Sequence, residues 1–469
     1  MLFNSFDFLV FLIFVFLLFW SLPNSKKWIL LLVSSYVFYM YWNPIYILLL
    51  LFTTFLDFYI SLHLTSSINP NKSKKGLMLS LFLSLTILFS FKYIGFFLEI
   101  SKELFKFFGV GYDIPEVSFI LPMGISFYTF QSISYAIDVY RKKIKPETNF
   151  FLFSLYITYF PQLVAGPIER TQDLLPQLKN KHFKLTPDHI KIGLFYILWG
   201  LFLKSVIADN AALIVDSIYS DISNNSGGKL AYASFVFTFQ IYTDFAGYSF
   251  MAIGISKLFD IQLMSNFKSP FLSESITEFW KRWHVSLSNW VRDYIYIPLG
   301  GNRIGKLRTY TNLFISFLIV GLWHGASFNF IIWGFLHGAM MVLERIFKLN
   351  IPTQYTVVRI LKTVFTFSIV SLIFVSFRIK DVRELFLTYE NIFTLEWRDL
   401  LFWFADNRYN YVFIGIGILV LVELYLKKKS LLKLTKASNF IFLPFCILLF
   451  FLIILTGRSE GAQFIYFQF

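Results

Sequence analysis

Long apolar runs alternate with short polar connections along almost the whole chain. A helix needs about 20 apolar residues to cross the hydrocarbon core, and fewer where it is buried among others, so each run is a candidate membrane helix. Some runs are short or carry polar residues, and we therefore expect about 10 to 12 crossings, with re-entrant and interfacial helices between them. The candidate segments are 8–22, 28–42, 45–62, 77–98, 118–138, 150–166, 190–207, 229–250, 311–323, 326–345, 363–377, 411–426 and 438–456.

Composition supports this pattern and excludes a soluble protein. Hydrophobic residues make up 57% of the 469 residues and charged residues only 15%, against about 25% charged in an average soluble domain. No repeat or long linker interrupts the runs, which predicts one membrane-embedded domain, 1–469, with an aromatic tail at 457–469. The first run has no basic region before it and no Ala-x-Ala-like site after it, so we expect a retained span and not a signal peptide.

The net charge of +14, from 42 Lys and Arg against 28 Asp and Glu, comes mostly from short connections between apolar runs. This is the positive-inside pattern of cytoplasmic loops, so the charge gives no support for nucleic-acid binding. The rule predicts an outward N-terminus and an outward C-terminal tail, and it does not resolve residues 150–310. The clusters are Lys26–Lys27, Lys72–Lys75, Arg141–Lys145 and Lys427–Lys436.

Of the six histidines, His324 has the most unusual setting, within Gly321–Ala326 between two apolar segments. The segment 311–323 would rise only about 20 Å as a helix, short of the roughly 30 Å hydrocarbon core. His324 is therefore expected inside the membrane, where an ionisable residue is a functional candidate. The alternative is a buried histidine that hydrogen-bonds a carbonyl beside a packing Trp323. His63, His182 and His189 are expected to be interfacial or loop residues.

His284 lies in the aromatic and basic segment Phe279–Trp290, after a capping box at Ser275–Glu278. The apolar residues of 276–291 fall on one helical face, which predicts a single amphipathic helix at the membrane interface with its Trp rings at headgroup depth. Simple membrane anchoring, with an incidental histidine, remains open. His337 is expected to be structural or to line a cavity.

The residue types favour a lone general base over other chemistry. No His or carboxylate spacing suits a metal ion, Cys446 is the single cysteine, and no Gly-x-Ser-x-Gly segment is present. An imidazole that titrates near neutrality can take a proton from an alcohol as it attacks an acyl ester or thioester.

Four motifs occur in series: 160–168 (FPQLVAGPI), 244–249 (DFAGYS), 279–289 (FWKRWHVSLSN) and 323–325 (WHG). Together they resemble the membrane-bound O-acyltransferase family over essentially the whole chain. The similarity is greatest to its bacterial branch, the alginate and peptidoglycan O-acetyltransferases and the teichoic-acid D-alanyl transferase. It implies an all-α polytopic fold in which tilted helices surround a central funnel.

The resemblance also implies roles for individual residues. His324 matches the invariant histidine of the family and His284 its second near-invariant polar position. We expect Trp323, Asn289, Arg292 and Asp244 to contact substrate, although Asp244 could instead orient a histidine or cap a helix. No metal or bound cofactor is expected; the donor would be acetyl-CoA or another acyl thioester. The acceptor would be a polysaccharide, reached through an extracytoplasmic partner acetyltransferase, at the bacterial cytoplasmic membrane.

The C-terminal tail suggests a further step. Tyr466, in the closing segment Phe464–Phe469, is predicted to accept the acyl group at His324 and pass it outward. The alternative is an aromatic anchor at the outer headgroup layer. Two other functions stay open: a transporter or flippase without acyl chemistry, whose expected inverted repeats are not visible, and D-alanyl transfer to teichoic acid.

Overall fold

A computed structural model of the chain describes residues 1–66, 70–109, 121–164, 166–180, 182–394, 410–426, 429–458 and 464–465. Within these ranges the regular structure is helical and contains no strand. The prediction of an all-α polytopic membrane protein is confirmed. Within the described ranges, each predicted apolar segment overlaps a helix or two helices in succession; residues 118–120 and 165 of these segments lie outside those ranges.

The described residues form two compact units, of which the first comprises Met1–Thr186 and Ser256–Leu263. Paired hydrogen bonds between the Gln177 side chain and the backbone of Gln262, of 2.8 and 3.0 Å, hold the second stretch in this unit. The helices of this unit are Phe6–Ser21, Asn24–Met40, Tyr46–Ser66, Pro70–Lys92, Ile94–Phe107, Ile125–Tyr140, Phe150–Thr158, Phe160–Leu163 and Thr171–Leu178.

The single span predicted at 150–166 is wrong, because the helix breaks at Tyr159. Pro161 cannot donate an N–H to the turn before it, and the freed backbone finds side-chain partners instead. The N–H of Phe160 donates to Ser35 Oγ at 3.1 Å, and Gln162 Nε2 donates to the Tyr156 carbonyl at 2.8 Å. These bonds satisfy buried backbone groups where a helix is interrupted.

The second unit comprises Pro187–Ile255 and Met264–Phe469, and it contains His284, His324 and His337. The long helix Gly227–Leu258 begins in this unit. One membrane-embedded domain over residues 1–469 stays a prediction. The α-helices that begin in this unit are Pro187–Leu201, Asp209–Tyr219, Gly227–Leu258, Ile276–Trp280, Val285–Val291, Lys306–His324, Phe328–Ile346, Thr356–Arg378, Val382–Thr394, Asn410–Leu426, Leu432–Thr435 and Asn439–Thr456; Phe202–Ala208 and Arg292–Tyr296 are π-helical and Pro270–Leu272 is a 3₁₀ turn.

Five stretches are long and apolar enough to cross a membrane by length and composition, and the apolar helices Phe6–Ser21 and Asn410–Leu426 are shorter. This search covers only the residues described above, so the expected number of crossings stays a prediction. The five are Tyr46–Leu64, Asn71–Lys92, Pro187–Tyr219, Thr356–Arg378 and Asn439–Thr456.

The helices Lys306–His324 and Phe328–Ile346 form a tight hairpin that ends at His324. They meet at glycines: a Cβ added to Gly321 would lie 2.3 Å from the Phe330 carbonyl oxygen. The prediction that this helix begins at residue 311 was wrong. It begins at Lys306, and its 19 residues rise about 28 Å. The helix is therefore nearly long enough to cross the hydrocarbon core, and its length does not support a position of His324 inside the membrane.

We expect Gly321→Ala to destabilise the second unit. The added methyl group would press on backbone in the neighbouring helix, and overpacking of this kind costs about 1–3 kcal/mol. The measurement is the thermal unfolding midpoint of the detergent-solubilised protein. Gly417→Ala is the matched control, because a Cβ there meets nothing within 4 Å; equal midpoints for the two variants would contradict the close packing at Gly321.

Candidate active site

His324 is the last residue of its helix and is 5% exposed. Its ring is surrounded by aromatic side chains, with centroids 4.8 Å from Trp333 and 5.1 Å from Phe377. The hairpin places Trp333 here, since it lies on the facing helix. An imidazole in such surroundings works with little bulk water nearby, which strengthens its hydrogen bonds and limits hydrolysis.

His284 is held in an unusual backbone conformation. Ser275 is the N-cap, as the predicted capping box requires, because its Oγ accepts from the Glu278 N–H at 3.1 Å. The Glu278 carboxylate accepts from the Glu274 N–H at 2.7 Å, one residue before the N-cap. The single interfacial helix predicted for 276–291 is wrong: a turn separates Ile276–Trp280 from Val285–Val291, and His284 in that turn has φ 43° and ψ 55°. A left-handed conformation costs a histidine about 1–3 kcal/mol, and such strain clusters at functional sites.

The indoles of this segment are also buried inside the protein, and so the prediction of Trp rings at headgroup depth is wrong. Trp280, Trp283 and Trp290 are 6%, 2% and 4% exposed. Their large apolar surfaces pack against neighbouring helices, where Trp283 lies 5.2 Å from Phe374 between ring centroids. The segment is therefore part of the core that supports the histidines.

Trp323 connects the two histidines. Its ring lies 4.9 Å from His324 and 6.0 Å from His284, between centroids. His284 is completely buried, and burial lowers the pKa of this imidazole to about 3. His284 is therefore neutral at physiological pH, with one ring nitrogen to donate and one to accept a hydrogen bond.

His337 lies on the second helix of the hairpin, and its ring centroid is 4.6 Å from that of Trp333. Its Nδ1 accepts from Trp280 Nε1 at 3.3 Å, which leaves Nε2 as the protonated nitrogen of the neutral ring. Within the described part of the chain, His337 Nε2 and Trp333 Nε1 have no hydrogen-bond partner. Both are buried donors that a bound oxygen atom would satisfy.

Asp244 belongs to a buried ionic cluster. Lys204 Nζ lies 2.7 Å from Asp244 Oδ1 and 2.8 Å from Asp209 Oδ1, and all three residues are less than 5% exposed. Close packing of glycines brings the helices together here, since a Cβ on Gly247 would lie 2.7 Å from the Gly200 carbonyl oxygen. Buried charges are retained where they are paired, as these are.

The last described residues of the tail reach the same cluster. The Ile465 N–H donates to Asp244 Oδ2 at 2.7 Å, and the Phe464 ring packs 4.9 Å from Tyr248 and 6.0 Å from Phe245. Phe464 is fully buried, so an anchor in the headgroup layer is wrong for this residue. Tyr466 lies outside the described residues.

Asn289 and Arg292 occupy less enclosed positions. Asn289 is half-buried, while Arg292 is exposed, and its Nε pairs with Asp293 Oδ1 at 2.8 Å. The arrangement thus joins His324, Trp323 and His284 through ring contacts and joins Asp244 to the tail. Arg292 is engaged by its neighbour along the chain.

A cavity of about 250 Å³ opens in the second unit. Its aromatic lining includes Tyr242 and Phe267, and Tyr242 donates a hydrogen bond to the buried Glu423 carboxylate. The exposed side chains of Lys268 and Lys429 contribute to its lining. The Phe267 ring lies 5.1 Å from Phe245, whose ring lies 4.7 Å from His284, so two aromatic rings separate this cavity from the histidine.

Comparison with known proteins identifies the family. Residues 145–379 match MBOAT, the membrane-bound O-acyltransferase family. A probable alginate O-acetylase of Pseudomonas aeruginosa is 38% identical over 428 residues, which cover 91% of this chain and 81% of that protein. The chain belongs to the membrane-bound O-acyltransferase family. The predicted resemblance is confirmed, and the protein is an acyltransferase.

Two further relatives show the range of acceptors among proteins similar to this acyltransferase. A peptidoglycan O-acetyltransferase of Helicobacter pylori is 36% identical over 386 residues, 76% of this chain and 72% of that protein. A teichoic acid D-alanyltransferase of Bacillus subtilis is 29% identical over 244 residues, 50% of this chain and 61% of that protein. The transporter alternative is not supported by these relatives.

The sequence reasoning missed two residues of this acyltransferase's buried polar network, Lys204 and Glu423. Each is a charged residue inside a predicted apolar run, 190–207 or 411–426. That placement was a usable signal, because an ionisable residue within a membrane segment is costly unless it has a partner. The partners of these two residues, Asp244 for Lys204 and Tyr242 for Glu423, could not be identified without the fold.

Proposed function

We propose that this acyltransferase moves an acetyl group from a cytoplasmic thioester donor to the outer side of the bacterial cytoplasmic membrane, where it O-acetylates a cell-surface polysaccharide. The observation that carries the proposal is the burial of His324 at the end of the glycine-packed hairpin, joined to His284 through Trp323. A base in an enclosed aromatic site suits acyl transfer, because water would otherwise hydrolyse the activated acyl group.

His324 acts as general base in this proposal. It takes the proton of an attacking hydroxyl while the hydroxyl oxygen bonds to the thioester carbonyl carbon. The C–S bond then breaks, and the thiolate leaves with the proton that the histidine holds, so the products are an ester and a free thiol. The two buried donors, Trp333 Nε1 and His337 Nε2, are available to an oxygen atom that becomes negative in the intermediate.

The first acceptor in this scheme is Tyr466. Its support is the buried position of its chain neighbours, since Ile465 binds Asp244 and Phe464 packs on Phe245, the ring that contacts His284. Because successive Cα atoms are about 3.8 Å apart, the position of Ile465 supports Tyr466 as a residue within reach of the histidines. The acetyl group then passes from the tyrosine ester to an extracytoplasmic partner acetyltransferase and on to a polysaccharide hydroxyl.

The cavity beside Glu423 suits the donor. Pockets for drug-sized ligands occupy about 300–1,000 Å³, so a cavity of about 250 Å³ would take the narrow arm of an acyl thioester and leave a nucleotide outside. Lys268 and Lys429 would attract the phosphates of acetyl-CoA. Lys429 belongs to the basic cluster that the positive-inside rule assigns to the cytoplasm.

Replacing both lysines should weaken donor binding more than it slows turnover. We expect Lys268→Ala with Lys429→Ala to raise the KM for acetyl-CoA by about 2- to 30-fold, because exposed charge pairs contribute about 0.2–1 kcal/mol each. The measurement is release of free thiol from acetyl-CoA by the protein in proteoliposomes. Lys380→Ala with Lys436→Ala, which changes the net charge equally at exposed positions, is the control.

The same assay tests the donor class. Thiol release from acetyl-CoA by the wild-type protein supports the proposal. Transfer from a D-alanyl carrier-protein thioester, with no reaction of acetyl-CoA, would favour D-alanylation instead. Turnover of neither thioester would contradict a thioester donor.

A further inference from the structure

A group of contacts around Lys204 has no part in the proposed chemistry. Phe202–Ala208 is a π-helical segment between two α-helical ones. A π-helix displaces backbone carbonyls from their usual partners and often marks a functional site. Here the freed carbonyls of Ser205 and Val206 accept from Asn210 Nδ2 at 3.1 and 3.0 Å.

The same segment holds the chain that follows the last long helix. Asn210 Nδ2 also donates to the Thr456 carbonyl at 2.9 Å, and the Arg458 N–H donates to the Ser205 carbonyl at 3.2 Å. Gly457 permits this approach, because a Cβ there would lie 3.1 Å from Ser205 Oγ. The start of the C-terminal segment is therefore fixed by one backbone hydrogen bond to the π-helix and by one from the Asn210 side chain, which follows the π-helix.

The end of the described tail is fixed by the ionic cluster. Lys204 neutralises one oxygen of Asp244, and the other oxygen accepts from the Ile465 N–H. Asp209 is the second partner of Lys204, with its Oδ1 2.8 Å from Lys204 Nζ. A carboxylate held by a buried lysine is a stronger and better oriented acceptor than a neutral group.

We propose that the Lys204–Asp244 pair and the π-helix form a latch that holds the C-terminal segment beside His284, and that acyl transfer requires this latch. Asp244 is then a positioning residue for the tail. The inference rests on the proposed function for its purpose, because a fixed tail gives Tyr466 a high effective concentration at the histidines.

Removing Asp244 should release the tail. In a Cys446→Ser background, an Ile465→Cys substitution supplies one thiol at a buried site and keeps the backbone N–H. We expect Asp244→Ala to raise the rate of maleimide labelling of this thiol by about 10- to 100-fold, the value of a charged hydrogen bond of 1.5–3 kcal/mol. Asp209→Ala is the matched control: it also removes one carboxylate from Lys204 and leaves one ion pair, but keeps the contact to Ile465.

The test is completed on the full-length protein with native Ile465, carrying either Asp244→Ala or Asp209→Ala. Three quantities are measured: polysaccharide acetylation, acyl groups on the C-terminal peptide, and thiol release from acetyl-CoA. We expect Asp244→Ala to lose the first two at least tenfold more than Asp209→Ala, with thiol release by hydrolysis retained, an outcome that general unfolding would not give.

Unchanged labelling in Asp244→Ala would overturn the latch, and so would faster labelling with polysaccharide acetylation equal to that of Asp209→Ala. Whether Tyr466 carries the acyl group is decided by a separate result. A wild-type tail without acyl groups would contradict Tyr466 as carrier, while labelling and polysaccharide acetylation would still decide whether the latch serves transfer.

Discussion

Replacing His324 by Gln should abolish acetylation of the cell-surface polysaccharide, with a fall of at least about 100-fold. Glutamine fills much of the same space but cannot accept a proton, and a general base contributes about 10²–10⁴-fold to a reaction rate. The ring contacts of His324 are with the aromatic side chains Trp333, Phe377 and Trp323, which cannot act as a base in its place. The loss should appear in the rate of transfer and leave the fold intact.

The measurement is mass spectrometry of the isolated polysaccharide from a deletion strain complemented with each variant. Immunoblots of membranes establish that the variants are present in equal amounts. His182→Gln is the control, since His182 is an exposed histidine in the first unit. Full acetylation in the strain carrying His324→Gln would rule out a catalytic role for His324. The aromatic rings around it would then serve only to pack the core.

The sequence predicted the helices well because the period and length of apolar runs are local properties. It also predicted the N-cap at Ser275 and the family, through motifs that each lie within a few residues. Where a helix ends inside the membrane was harder to predict. The break at Tyr159 depends on Ser35, which lies 125 positions away and supplies the hydrogen bond that an interrupted helix needs.

The environment of the site could not be predicted for the same reason. The left-handed backbone of His284 is strained, and it persists because the surrounding packing outweighs its cost. A periodic apolar pattern is equally compatible with one helix or with two helices and a turn, so amphipathicity alone suggested an interfacial helix. In the structure the backbone turns at His284, and Trp280, Trp283 and Trp290 on either side of the turn are buried.

The tail shows the limit most clearly. Its aromatic composition suits a headgroup anchor as well as a buried segment, and the contact that distinguishes them joins Ile465 to Asp244, 221 positions apart. Lys204 inside an apolar run indicated a buried partner, and in the structure two acidic residues, Asp209 and Asp244, pair with it. Only the fold relates that pair to the C-terminus.

Tyr466→Phe should therefore separate the two halves of the reaction. The substitution removes one oxygen atom and keeps the ring, so the packing of Phe464 and the Ile465 hydrogen bond should survive. Without the phenol, the acyl group has no tail acceptor. We expect polysaccharide acetylation to fall at least about 100-fold, the low end for loss of a nucleophile or its base, while slow hydrolysis of acetyl-CoA continues.

The decisive comparison is between Tyr466→Phe and Tyr355→Phe, a tyrosine whose side chain is exposed. The C-terminal peptide of the wild-type protein should carry an acyl ester after incubation with acetyl-CoA, and that of Tyr466→Phe should carry none. Wild-type acetylation by Tyr466→Phe would mean that His324 serves an incoming hydroxyl directly. The buried residues Phe464 and Ile465 would then shape the acceptor path, because Phe464 lies against Phe245, the ring that contacts His284.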